Sequence, residues 1–201
     1  KMVCHIVSLS IEVNQMAQSL KRLNKASIKR DKKAQSKLYE VCFGFLYPVA
    51  LRYASCSDDA MSYLNLGFYK VLQKLNTLEN PDAFKAWAKR VLIHTILDEL
   101  KKQKRYQQYV ETAEASALEN VAPEVEFDDS MGVEEIYAAI RSLPPQTASV
   151  FNLYAIDGYK HREIAVMLNI SEGTSKWHYA EARKRLRVIL SKKAYSEKLA
   201  S

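Results

Sequence analysis

Between Leu38 and Ala50, apolar side chains fall at Leu38, Val41, Cys42, Phe45, Leu46, Val49 and Ala50. This i, i+3, i+4, i+7 spacing lays one broad buried face along a helix. No segment of the chain sustains the period-2 alternation of a strand bounded by turn residues. Only 5 Gly and 5 Pro punctuate 201 residues, so the expected fold class is all-α, with parallel-sheet architectures disfavoured. The first helix is expected from Ala34 to Tyr53, bent or locally relieved at Pro48. A second runs from about Asp59 to Leu75, with Ser57 or Asp58 as its N-cap. Pro81 can open a third at its first turn. That helix carries Phe84, Trp87, Val91, Leu92, Ile96 and Leu100 and ends in Lys101, Lys102, Lys104 and Arg105, cations that a helix C-terminus favours.

Charge divides the chain. Lys and Arg outnumber Asp and Glu by 19 to 9 over residues 1–105, are absent against 7 carboxylates over 106–133, and lead by 11 to 7 over 134–201. The acidic stretch holds Pro123 and little periodicity, so it reads as an extended linker between two helical domains. The net charge of +7 and a pI near 9.2 favour a polyanionic partner such as nucleic acid.

Three cysteines, Cys4, Cys42 and Cys56, lack the spacing of a disulfide framework or zinc site and suit a reducing cytoplasm. The N-terminal KMVCHIVSLSI lacks the length and flanks of a signal peptide, and no run approaches 18 apolar residues, so neither secretion nor a membrane span is expected. His5, His94, His161 and His178 show no metal spacing, and neither a Gly-rich phosphate loop nor a nucleophile motif is present. The expectation is a protein that is not an enzyme and needs no cofactor.

Residues 161–187 have the register of a helix-turn-helix. Ile164, Ala165 and Leu168 share a face, Asn169 can take a left-handed cap, Ile170 can plug the space between helices, and Ser171 can N-cap the next helix. In that second helix Ser175, Tyr179, Ala182 and Leu186 form the inner stripe. The opposite side holds Gly173, Lys176, Trp177, Ala180, Glu181 and Lys184. A large aromatic beside lysines gains little in water and suits a face made for a groove. Glu172, Lys176, Trp177, His178 and Glu181 are therefore placed near bases, and Arg162, Thr174, Arg183 and Lys184 near the backbone, with Ser171 also in the DNA-binding set. Glu can accept from cytosine N4, and Trp can meet a thymine methyl.

Three stretches in order, DDAMSYLNLGFYKVLQKL, FKAWAKRVLIHTILDELKKQKR and LPPQTASVFNLYAIDGYKHREIAVMLNISEGTSKWHYAEARKRLR, resemble the extracytoplasmic-function sigma factors of the sigma-70 family of bacterial RNA polymerase. The resemblance spans about Ala34 to Leu190. It implies an N-terminal extension at 1–26, a sigma-2 domain at 27–105, a linker at 106–132, a sigma-4 domain at 133–190 and a tail at 191–201. By the same resemblance the sigma-2 domain grips core polymerase and opens the minus-10 element. The loop Asn76, Thr77, Leu78, Glu79, Asn80 to Pro81 maps onto the pocket for a flipped base. Lys89, Arg90, His94, Lys101, Lys102, Lys104 and Arg105 lie toward DNA, and Asp59, Ser62, Tyr63, Asn65, Leu66 and Tyr69 toward the polymerase. The sigma-4 domain reads the minus-35 element, and the acidic linker follows the basic RNA path of the polymerase.

The chain departs from the family where AMSYLNLGF stands for a segment that usually reads like AEDLVQETF: Ser62 replaces the acid, Asn65 the Gln and Leu66 the Glu. His94 stands where Asn is usual. Two explanations are open: a diverged clamp contact compensated elsewhere, or an additional partner over Tyr63, Leu66 and Tyr69, such as an anti-sigma factor or an accessory DNA-targeting protein. A different class, a free-standing helix-turn-helix regulator, shares the C-terminal reading but needs no polymerase.

Overall fold

The computed structural model describes Ser27, residues 31–113 and residues 133–200, with side chains placed from 31 to 105 and from 135 to 191. The extension and much of the linker therefore lie outside the described residues. The described elements are helical: α1 (Lys32–Leu51), α2 (Ser57–Lys74), α3 (Phe84–Ala113), α4 (Val133–Arg141), α5 (Pro145–Phe151), α6 (His161–Leu168) and α7 (Glu172–Ala200). No described helix is long and apolar enough to cross a membrane. The chain divides into two compact units, the first with the described residues up to Ala50 and Met61–Ile96, the second with Leu51–Ala60 and the described residues from Leu97.

In the first unit, Asp31 caps α1: its carboxylate accepts the N–H groups of Lys33 at 2.9 Å and Ala34 at 3.1 Å, satisfying donors that a helix start leaves free. Leu38, Cys42, Leu46 and Val49 are buried along one face, as the spacing predicts, while Pro48 sits in the helix exposed. Burial pushes the Cys42 thiol up to about 12, so it stays protonated and packs as a small apolar group. The first two helices meet where the Tyr39 ring stands edge-on to Phe68 and its hydroxyl donates to Asn65 Oδ1 at 2.8 Å. The second and third meet at Gly67, where a β-carbon would overlap the Leu92 side chain.

Helix α2 begins at Ser57, two residues before the expected start. Ser57, Asp58 and Asp59 therefore occupy its first turn, where the carboxylates are favoured by the helix dipole, and neither Ser57 nor Asp58 precedes it as a cap. After α2 come two short 3-10 turns, Leu75–Thr77 and Pro81–Ala83, the second capped by Asn80, whose side chain accepts from Asp82 N–H. Pro81 thus leads into α3 through a tighter turn than expected. That helix does not end at the basic run but continues to Ala113. Lys101 to Arg105 are mid-helix, and the C-terminal dipole does not account for them.

In the second unit, α7 is the spine. Ala182 and Leu186 pack on Ala139, Ile140 and Leu143, flanked by Tyr137, Ala148, Phe151 and Ile189, each fully buried Leu or Ile contributing about 1.5–3 kcal/mol. Helix α5 runs on into a π turn, Asn152–Ile156, closed by the Asp157 N–H on the Asn152 carbonyl at 2.9 Å. This wider turn places Asn152 and Asp157 beside the segment after α1. Arg52 Nη2 meets Asp157 Oδ1 at 2.7 Å, Tyr53 donates to Oδ2 at 2.9 Å, and Asn152 Nδ2 donates to the Arg52 carbonyl at 3.1 Å. Burial first, then the Asp157 charge, hold the Tyr53 phenol well above its ordinary value, which keeps it a donor.

Candidate nucleic-acid interface

The turn between α6 and α7 has the geometry its sequence predicts. Asn169 adopts φ 55° and ψ 52°, a left-handed cap that a short polar side chain tolerates. The Ile170 N–H then reaches the Ala165 carbonyl at 3.0 Å, and Ile170 is half-buried. Ser171 caps α7 through its Oγ, which accepts the Thr174 N–H at 2.9 Å. At the start of α6, the Lys160 N–H donates to Glu163 at 2.8 Å. The inner stripe is confirmed: Ser175, Ala182 and Leu186 are buried and Tyr179 is half-buried.

On the outer side, Trp177 is 60% exposed, and Lys176, Lys184, Arg183, Glu172 and Arg162 are exposed with it. Glu172 and Lys176 pair at 2.7 Å, one helical turn apart, and Glu181 accepts from Arg185 Nε at 2.7 Å. Those cations hold both carboxyls below the usual range, Lys176 chiefly by its hydrogen bond to Glu172 and Arg185 likewise to Glu181. Both carboxylates are thus engaged on their own helix. Arg183 lies over the Tyr179 ring at 5.8 Å.

His178 departs from its expected place. Its ring is half-buried, and Nδ1 lies 3.0 Å from Thr147 Oγ1 on α5, so it faces the bundle and not the groove side. The reason is angular: His178 stands 60° from Ser175 around the helix at 100° per residue, on the margin of the inner stripe. Two further side chains, His161 and Thr147, belong to this arrangement. His161 Nδ1 lies 2.9 Å from Ser175 Oγ, with its ring stacked on Tyr154 at 4.2 Å. No local pattern around Thr147 signals its part.

In the first unit, Asn76, Thr77, Glu79 and Asn80 are exposed and Leu78 half-buried. The Thr77 hydroxyl is turned back onto the Lys74 carbonyl at 2.7 Å. Along α3, Lys89, Arg90, His94, Lys102, Lys104 and Arg105 are exposed and Lys101 half-buried. Arg90, His94, Lys101, Lys104 and Arg105 fall within about 100° of one another around the helix and along about 22 Å of its axis. Lys101 is 3.8 Å from Asp98 and Lys102 2.6 Å from Glu99, while Lys104 and Arg105 project into solvent.

Of the residues expected to face the polymerase, Ser62, Asn65 and Tyr69 are exposed on one side of α2, with Asp59 and Leu66 half-buried. Tyr63 does not join them: it is 7% exposed and part of the core, because 63 falls with 60, 64 and 67 on the inner face. The sequence reading missed the neighbouring aromatic row on α1. Tyr39, Phe43 and Tyr47 recur every four residues, Phe43 and Tyr47 stacked at 4.9 Å, and that spacing was the available signal.

The sigma-70 region 2 family model matches residues 38–106 and the sigma-70 region 4 family model residues 133–186. The chain is 27% identical over 150 residues to RNA polymerase sigma factor SigV of Bacillus subtilis (strain 168), a match covering 75% of this chain and 87% of that protein. It is 26% identical over 149 residues to ECF RNA polymerase sigma factor SigE of Mycolicibacterium smegmatis, covering 73% of this chain and 58% of that one. Among solved structures, the sigma factor RpoE in complex with the anti-sigma factor NepR from Bartonella quintana is similar in fold, with a TM-score of 0.53 and 20% identity over 78% of this chain and 96% of that chain. With both regions matched in order on the helices just described, the chain belongs to the sigma-70 family of RNA polymerase sigma factors.

Proposed function

We propose that this protein binds core RNA polymerase in the cytoplasm and directs it to promoters, acting as a specificity subunit and not as an enzyme. Helix α7 reads the minus-35 element, and the segment from Asn76 to Arg105 engages the minus-10 element. The observation that carries the proposal is the capped turn Asn169–Ser171, which presents a helix whose outer side bears Trp177 among cations. The basic side of α3 supplies phosphate contacts for the other promoter half. The exposed side of α2, Ser62, Asn65 and Tyr69, meets the polymerase clamp. An anti-sigma factor is a further partner, as for the relative solved with NepR.

Transcription reconstituted from purified core polymerase and this protein, read by mapping start sites on genomic fragments, tests the proposal. Start sites that appear only when both are present support it. Tight DNA binding by the protein alone, with no initiation, identifies a free-standing helix-turn-helix regulator instead.

A further inference from the structure

Helix α7 is held in two different ways along its length. Its middle rests on an apolar core, Ala182 and Leu186 against Ala139, Ile140 and Leu143. In its first two turns, Glu172 to Tyr179, the one fully buried side chain is Ser175, and polar contacts join the half-buried Tyr179 ring, which packs on Tyr154 and Phe151. Ser175 Oγ pairs with His161 Nδ1 on α6 at 2.9 Å, and His178 Nδ1 pairs with Thr147 Oγ1 on α5 at 3.0 Å. Thr147 is 2% exposed, a fixed point in the bundle.

These bonds leave α7 from positions 60° apart and end on two different helices. Two directional contacts to two separate anchors set the roll and height of the helix, whereas apolar contact is non-directional and tolerates rotation. Burial lowers the His178 imidazole below its ordinary value, which favours the neutral ring beside the Thr147 hydroxyl. The same imidazole lies against the outward indole, the Trp177 and His178 ring centroids being 4.9 Å apart at 73°. It therefore touches both the anchor and the exposed aromatic.

We propose that His178, paired with Thr147, is a positioning residue for promoter recognition: it fixes the roll of the reading half of α7 and the attitude of Trp177, and so sets sequence discrimination without touching a base. This rests on the reading of α7 as the minus-35 reader.

The test uses the full chain with core polymerase and promoter fragments recovered from its own genome by start-site mapping, randomised through the minus-35 element. Discrimination is read as enrichment among initiated fragments, and melting temperature is measured on the same proteins. Thr147→Val should lower both. Thr147→Val with His178→Leu should recover most of the melting temperature, since replacing both partners of a buried hydrogen bond by apolar groups is nearly neutral. Discrimination should stay roughly tenfold below native, the scale of a single base-edge interaction. If discrimination returns together with stability, the pair is merely structural and the proposal is overturned.

Trp177→Ala separates the two levels. Its failure to alter minus-35 preference would remove the reading of α7 and the proposal with it. Loss with Trp177→Ala but none with the double variant leaves the reading standing and rejects the positioning role. Should the double variant not fold, His178→Gln and His178→Leu are compared at temperatures where both are folded. Better discrimination by the Gln variant, whose amide can still meet Thr147, supports the proposal, and equal discrimination overturns it.

Discussion

Gly67 on α2 lies against Leu92 on α3 with no room for a β-carbon between them. The overlap would be with the Leu92 Cδ1 methyl, while the Leu92 backbone stands 3.4 Å from the β-carbon position. Gly67→Ala should therefore destabilise the protein by about 1–3 kcal/mol, the usual range for overpacking, despite the better helix propensity of Ala. Urea unfolding measures it. A neutral or stabilising result would show that Leu92 relaxes at little cost.

The buried pair Arg52 and Asp157 should be costly to halve. Arg52→Ala leaves the carboxylate of Asp157 with only the Tyr53 hydroxyl among its side-chain partners, and a loss of about 3–5 kcal/mol is expected. Tyr53→Phe, which removes one bond to a charged acceptor, should cost about 1.5–3 kcal/mol. Denaturant titration of the two variants gives the order, with Arg52→Ala the larger effect.

Trp177→Ala should change stability by no more than about 0.5 kcal/mol, as for an exposed residue, while weakening minus-35 preference. Thermal melting and competitive initiation on intact and scrambled minus-35 promoters separate the two effects.

The pH dependence of stability should carry a His178 component. Unfolded, the imidazole takes its proton near 6.5; folded, burial holds it lower. Between those values the unfolded chain binds the extra proton, so this contribution is whole above pH 6.5 and falls as the solution is acidified. Melting temperatures from pH 7.5 to 5 should decline more steeply for the native chain than for His178→Asn. Parallel slopes would contradict the assignment.

Lys104 and Arg105 should act through phosphate charge. Replacing both with Ala is expected to weaken polymerase-dependent promoter binding uniformly across sequences. The slope of log affinity against log salt should shrink by about 0.9 for each duplex phosphate left without its cation. A change in sequence preference with an unchanged slope would point to base contacts instead.

The apolar periodicity made Leu38, Cys42, Leu46, Ala182 and Leu186 legible as core, because burial on one helix face is a local pattern. Asn169 and Ser171 were legible for a similar reason: caps depend on residues within one turn. The continuation of α3 through Lys101–Arg105 was not, since Lys, Arg and Gln are good helix formers and a change of charge does not end a helix. The burial of Tyr63 depends on which side of α2 the neighbouring helices cover. The inward turn of His178 was equally hidden, because its partner Thr147 lies 31 residues earlier and no local rule links them.

The turn Asn169–Ser171 works as a gauge of angle as well as a bend. Each residue added to or removed from a helix rotates every later side chain by about 100° around the axis. With only Ile170 between the two caps, there is little slack to absorb such a change. One inserted residue would carry Trp177 toward the bundle and Tyr179 toward solvent. The length of this turn thus decides which side chains of α7 face outward as firmly as the sequence of the helix does.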